Sequence, residues 1–131
     1  MSSYKKMKCF NLMTGEFKGY LSTLRNYVTL VPDKDLGAEV KWSEEGGDMY
    51  LVKATSPADR FLGVAERGYA GWGLWGGWRD AVLLNTDGTI SLKATPERKL
   101  YGPYDSLGNE YVCWAERGEN NQAILRFVME D

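Results

Sequence analysis

Apolar residues recur along this chain at a spacing of forty, and a repeat of that length is what most limits its fold. Two sets of three share the spacing: Phe10, Tyr50 and Ile90, and Leu12, Val52 and Leu92. In each copy the two positions are two residues apart, so their side chains point to one face of a strand. The spacing predicts three similar units, each too small to bury its apolar face alone, that share one core.

Short strands separated by turns account for each unit. Runs rich in β-branched and aromatic residues alternate with turn clusters about every ten residues, which is typical of an all-β sandwich or barrel. The runs form three groups of four: 7–12, 19–24, 27–31 and 40–43; 49–54, 60–65, 71–75 and 81–85; 89–94, 99–104, 110–115 and 123–129. Turns at 45–48 and 85–88 divide the groups, and Asp87-Gly88 in the second is a strong hairpin signal.

Twelve strands in three groups of four can form a closed structure, in which six strands make a barrel and the other six make three hairpins that cover one end of it. Closure leaves no long unpaired edge. We therefore predict an all-β chain folded as a β-trefoil, with twelve strands in three pseudo-repeats of about 40 residues. Its single domain spans 1–131, with repeats at about 7–48, 49–88 and 89–131.

The chain contains no histidine, which narrows its chemistry. Ser-His-Asp and Cys-His nucleophile systems are excluded, and the commonest general base near neutral pH is absent. Two cysteines are too few for a thiolate zinc site, so we predict no metal and no cofactor. A disulfide between Cys9 and Cys113 is allowed, but two buried thiols in a reducing cytosol are the simpler expectation.

Charge and hydropathy are typical of a soluble protein. They leave a small molecule, a glycan or a protein as the expected partner. The 16 basic and 18 acidic residues give a net charge of −2 without a basic patch, so we expect no nucleic-acid partner. No apolar run approaches the roughly 20 residues of a membrane helix, so we expect no membrane insertion. The first ten residues lack the apolar region of a signal peptide, which favours a cytoplasmic location, with non-classical export left open.

Residues 49–64 combine an apolar strand, a turn and an Arg-Phe-Leu-Gly strand. This pattern resembles β-trefoils of the fascin-like and amaranthin-type agglutinin kinds, and the resemblance covers residues 7–129. Those relatives include carbohydrate-binding agglutinins, actin-bundling modules and trefoil inhibitors of proteases. Ricin-type trefoil lectins carry Gln-x-Trp in each repeat, whereas the only glutamine here is Gln122, so no ricin-type sugar site can be assigned to this sequence.

The segment 69–80, YAGWGLWGGWRD, is the most unusual part of the chain. Trp72 and Leu74 share one strand face with the repeated core set, so we predict both in the core. Trp75 lies on the opposite face of the strand. It could either cap the base of the barrel or contact a ligand.

Trp78 follows two glycines in a predicted loop, where a large aromatic ring is costly to expose without a purpose. Its ring face suits the apolar face of a sugar or another flat ligand. Arg79 and Asp80 beside it can donate to and accept from ligand hydroxyls. The alternative is that Trp78 caps the barrel and that Arg79 and Asp80 form a local ion pair.

Two further polar segments are weaker candidates. The loop 115–122 offers Glu116, Asn120 and Asn121 as ligand contacts, although a solvated hairpin turn is the simpler interpretation. The bend at Gly102-Pro103 presents Tyr104, near Tyr101 and Asp105, toward solvent.

Three functions follow from these features. The first is a lectin-like module that binds carbohydrate through Trp75, Trp78, Arg79, Asp80, Glu116, Asn120 and Asn121. The second is a protein-binding trefoil, either a protease inhibitor or a cytoskeletal module, that presents loops 33–39 and 116–122. The third is an enzyme acting on a small apolar metabolite, with Glu66, Asp80 or Glu116 as a buried acid or base. A deep aromatic cavity holding one buried acid would favour the enzyme.

Overall fold

Twelve β-strands and three short 3₁₀ turns make up the part of the chain that the structure describes, residues 3–74, 78–115 and 121–130 of a computed structural model. The 3₁₀ turns are Lys34–Leu36, Glu66–Gly68 and Asn121–Ala123. The strands are β1 Lys6–Asn11, β2 Phe17–Leu24, β3 Tyr27–Val31, β4 Val40–Glu45, β5 Asp48–Lys53, β6 Arg60–Val64, β7 Ala70–Leu74, β8 Val82–Leu84, β9 Ile90–Leu92, β10 Leu100–Ser106, β11 Asn109–Trp114 and β12 Leu125–Glu130. Each lies within a few residues of its predicted position, so the all-β prediction is confirmed.

The strands form one antiparallel sheet without a continuous closing ladder. Its main path runs β12-β1-β2-β3-β7-β6-β5-β8-β9, with β4 on β5, and β10 paired with β11, which also pairs with β3. Three hairpins stand out: β2–β3, β6–β7 and β10–β11. They meet through single bridges, Tyr27 with Gly71, Tyr111 with Thr29, and Tyr69 with Cys113. The tips of the hairpins are therefore neighbours in space although they are far apart in sequence.

The core combines residues from all three predicted repeats. Cys9, Leu51 and Ile90 from the first strands are fully buried in the main core cluster. The forty-residue register is wrong in the first repeat, because Phe10 and Leu12 are only half-buried. Strand β1 turns its odd-numbered residues inward, so a repeat drawn from hydrophobic identity alone is shifted by one residue there. Tyr50 and Val52 lie with Phe61 in a smaller, separate cluster.

The hairpin strands β3, β7 and β11 repeat at 42 residues. Two buried sets show the spacing: Val28, Ala70 and Val112, and Leu30, Trp72 and Trp114. Trp72 is fully buried as predicted, and its indole N–H donates to the Ser22 carbonyl at 3.3 Å. Leu74 is 47% exposed, so its predicted core position is wrong. Because the burial of β7 ends at Gly73, Leu74 at the strand end faces solvent.

Both cysteines are free and buried, as expected for two internal thiols. Burial raises the pKa of the Cys9 thiol and raises that of Cys113 to about 11. Within the described ranges, no helix has the length and apolar character needed to cross a membrane.

Candidate functional site

The indole of Trp78 lies flat on a floor made by three glycines of the β6–β7 hairpin. An added Cβ at Gly63 would lie 3.0 Å from Trp78 Cε3, and one at Gly71 would lie 2.6 Å from Cη2. One at Gly73 would lie 2.8 Å from Cδ2 and overlap the Trp78 carbonyl. Any larger residue would therefore displace the ring. Glycine is unfavourable inside a strand unless something approaches closely, and here the approaching group is the indole.

Trp78 is held in place but not hidden. The residue is 40% exposed, and the glycine floor contacts its ring. A ring that is fixed on one side and open on the other loses little conformational freedom when a ligand stacks on it.

A cleft opens beside the indole, between the tips of the first two hairpins. Its volume is about 410 Å³, and its lining residues are Arg25, Asn26, Tyr27, Val64, Ala65, Glu66 and Trp78. The first hairpin is fixed against the second because the Asn26 carbonyl accepts from the Trp72 N–H at 2.7 Å. The two walls of the cleft are therefore joined by a backbone hydrogen bond.

Glu66 and Tyr27 form a polar link across this cleft. The Tyr27 hydroxyl donates to the Glu66 carboxylate, which belongs to the 3₁₀ turn Glu66–Gly68. The carboxylate is on the exposed side of the turn. The structure thus brings together Trp78, predicted as a ligand contact, and Glu66, predicted as a catalytic acid in the enzyme hypothesis.

Two cleft residues keep their polar groups available for a ligand. Among the described residues, neither the Arg25 guanidinium nor the Asn26 side-chain amide has a hydrogen-bond or ion-pair partner in the protein. Asn26 contributes only its backbone carbonyl to the fold. Arg25 has φ 56, the left-handed conformation of the hairpin turn, and its carbonyl accepts from the Thr23 hydroxyl at 3.0 Å.

Asp80 and Arg79, which follow Trp78 in sequence, make contacts with the protein and not with the cleft. Oδ2 of Asp80 accepts from the Val64 N–H at 2.9 Å, and the Asp80 N–H donates to the Leu62 carbonyl at 3.2 Å. The Arg79 guanidinium lies 4.8 Å from the centre of the Tyr50 ring, in a cation–π contact. Asp80 therefore clamps the segment that carries Trp78 onto β6, and Arg79 turns toward the smaller apolar cluster.

The other predicted contacts have separate locations. Trp75, Glu116 and Asn120 lie outside the described residues. Asn121 begins the last 3₁₀ turn, where the Gln122 carbonyl accepts from the Asn11 side chain at 2.7 Å. This turn contributes none of the cleft's described lining residues.

An aromatic cluster that sequence analysis missed adjoins the cleft. Tyr27, Tyr69 and Tyr111 are spaced 42 residues apart, with ring centres 5.5 Å (27 to 69), 5.9 Å (27 to 111) and 5.3 Å (69 to 111) from one another. Tyr104, 45% exposed, packs on Tyr69 at 5.9 Å. Burial and the neighbouring Tyr104 raise the pKa of Tyr69. The 42-residue spacing of these tyrosines was the signal available in the sequence, and a search for a 40-residue repeat does not detect it.

In the ranges that the structure covers, no group of three or more histidine, cysteine, aspartate or glutamate side chains could hold a metal ion. The chain matches no protein-family model and no curated protein. Any functional assignment therefore depends on the geometry of the cleft.

Proposed function

We propose that this chain is a β-trefoil that binds carbohydrate through one aromatic site in its second repeat. The observation that carries the proposal is the Trp78 ring, fixed on a glycine floor and open to a cleft with unpaired polar side chains. Carbohydrate binding is one of the functions that the resemblance to fascin-like and amaranthin-type agglutinin domains implies, beside actin bundling and protease inhibition.

The strand pairings support the trefoil. Six strands follow the order expected of a trefoil barrel, through the pairs β12–β1, β4–β5, β5–β8 and β8–β9 and the bridge between Lys5 and Val40 next to β1 and β4. Between β9 and β12 the Gly88 carbonyl accepts from the Phe127 N–H at 2.9 Å. The remaining six strands are the three hairpins, whose tips meet at the tyrosine cluster.

The chemistry of the cleft suits a sugar. The C–H groups on one face of a pyranose ring make an apolar surface that stacks on an indole, and burying that surface is favourable. Sugar hydroxyls both donate and accept, so they can pair with the Asn26 amide, the Arg25 guanidinium and the Glu66 carboxylate. These three groups border the same opening as Trp78.

Of the three carboxylates in the enzyme hypothesis, the two that the structure describes, Glu66 and Asp80, favour binding over catalysis. An acid held neutral by burial would support the enzyme hypothesis, but Glu66 is exposed. Asp80 is half-buried, yet one of its oxygens already accepts from the Val64 backbone. Neither carboxylate matches the isolated, desolvated acid which that hypothesis requires.

A glycan array followed by calorimetric titration tests the proposal. We expect Trp78→Ala to weaken any saccharide binding at least tenfold, about 1.4 kcal/mol, because the stacking surface is lost. Trp42→Ala is the matched control, because Trp42 packs against the main core, outside the cleft lining, and should leave affinity unchanged. Absence of saccharide binding at about millimolar concentration, roughly −4 kcal/mol, would reject the proposal.

A further inference from the structure

We propose that the cleft selects acidic saccharides, and that Arg25 pairs with the carboxylate of a uronic acid whose ring stacks on Trp78. This inference depends on the proposed carbohydrate-binding function and narrows it to one class of ligand. It starts from an arginine whose position the fold itself does not explain.

The hairpin turn does not require an arginine at position 25. Arg25 and Leu107 occupy the turns of the first and third hairpins with similar left-handed conformations, φ 56 and φ 51. A leucine that is 98% exposed satisfies the third turn, so the backbone sets no demand for a cation there. The guanidinium of Arg25 therefore adds nothing that the turn needs.

Protein carboxylates do not use this guanidinium either. The carboxylate that shares the cleft, Glu66, accepts the Tyr27 hydroxyl, and no ion pair within 4.0 Å joins it to Arg25 in the described part of the chain. The Asp80 carboxylate is bound to the Val64 N–H. Arg25 is thus an available cation in the wall of the cleft that Trp78 also lines.

Guanidinium chemistry identifies the ligand group. The planar fork of an arginine matches a carboxylate with two parallel hydrogen bonds, which gives orientation as well as affinity. A uronic acid carries its carboxylate at the edge of the sugar ring, so ring stacking and carboxylate pairing use different parts of one residue. A neutral sugar would leave the guanidinium with only hydroxyl partners.

The test is an array of matched oligosaccharides that differ only at C6: galactose with galacturonate, glucose with glucuronate and mannose with mannuronate oligomers. We expect at least one uronate to bind about tenfold more tightly than its neutral partner, with the preference declining as salt is raised. Arg25→Gln should reduce the preference to less than about twofold, whereas Trp78→Ala should weaken both members of the pair.

Arg67→Gln is the matched control, because it removes the same charge from the corresponding turn of the second hairpin, outside the cleft lining. We expect it to keep the uronate preference. Equal binding of neutral and uronic members, or stronger binding of sulfated partners than of uronates, would overturn this inference and leave the proposed function standing. If no saccharide of either kind binds, the proposed function fails and this inference fails with it.

Discussion

Replacing Gly71 by alanine tests whether the floor beneath Trp78 positions the ring. The backbone at Gly71 does not have a positive φ, so alanine is conformationally allowed there, and the loss of unfolded-state entropy alone would stabilise the protein by about 0.4–1 kcal/mol. The new Cβ, however, would lie 2.6 Å from Trp78 Cη2 and 2.9 Å from the Asn26 carbonyl oxygen. Carbon atoms normally pack about 3.5–4.0 Å apart, so the ring must retreat by about 1 Å.

The size of the effect follows from these contacts. Overpacking costs about 1–3 kcal/mol, and the entropic gain offsets part of it, so we expect Gly71→Ala to lower the free energy of unfolding by about 1–2 kcal/mol. The Asn26 carbonyl cannot move away easily, because it accepts from the Trp72 N–H at 2.7 Å. In a Trp78→Ala background the ring contact is gone, and the contacts with the Asn26 carbonyl and with Ala65 Cβ, at 3.1 Å, remain. The cost of Gly71→Ala should then fall by about 0.5–1 kcal/mol.

Urea unfolding of the wild type, both single variants and the double variant gives the coupling free energy directly. Gly102→Ala serves as the control pair with Trp78→Ala, because an added Cβ at Gly102 would meet Tyr111, Leu125 and Leu30 but not Trp78. The control pair should be additive. If the Gly71 and Trp78 substitutions were also additive within about 0.5 kcal/mol, the indole would not depend on this floor, and the case for a preorganised platform would be refuted.

Two further predictions concern titratable groups away from the cleft. Hydrogen bonds from the Thr89 hydroxyl and N–H lower the pKa of the Asp87 carboxyl, so its contribution to stability is present above the ordinary carboxyl pKa and is lost as pH falls through the folded-state value. Asp87→Asn should therefore lower the free energy of unfolding near neutral pH and make that free energy depend less on pH in the acid range. Urea unfolding at a series of pH values between about 2 and 7 measures this, and an unchanged pH dependence would contradict it. Burial should protect Cys9 and Cys113 from iodoacetamide at about pH 8 in the native state and expose them in urea, as mass spectrometry can show; rapid native labelling would contradict that burial.

Strand positions were predictable because turn residues and apolar runs are local signals. The exact repeat was harder, because local patterns do not fix which face of a strand points inward. In β1 the buried positions include a cysteine and an asparagine, Cys9 and Asn11, while the more hydrophobic Phe10 faces outward. Hydrophobic identity therefore selected the wrong face there. The buried sets of the hairpin strands, spaced at 42, carry the repeat more faithfully because both strand faces are constrained by packing.

The cleft was predictable only in part, for a different physical reason. A tryptophan after two glycines marked Trp78 as unusual, and an exposed ring is indeed present. The first-hairpin wall, Arg25, Asn26 and Tyr27, lies some fifty residues earlier in sequence and is brought to the ring by long-range contacts such as the bridge between Tyr27 and Gly71. Long-range pairing of this kind leaves no local signal. The 42-residue spacing of the tyrosines was the one indication that the hairpin tips converge.

The pairing of Gly63 with Gly71 also explains why the platform lies in the second repeat. The corresponding cross-strand pairs are Ser22 with Thr29 in the first hairpin and Tyr101 with Cys113 in the third. Each of those positions has a side chain where the second hairpin has a bare backbone surface.

The consequence is visible in the first repeat, at Leu36, which precedes Trp78 by 42 residues. There the Ser22 hydroxyl donates to the Leu36 carbonyl at 2.6 Å, and the Leu36 side chain remains 64% exposed. The Ser22 side chain thus binds the backbone of the segment that covers it, and it occupies the surface on which an aromatic ring would otherwise pack. Glycine at three positions of the second hairpin removes that obstacle, so the 42-residue repeat of the hairpin strands is interrupted where the proposed ligand binds.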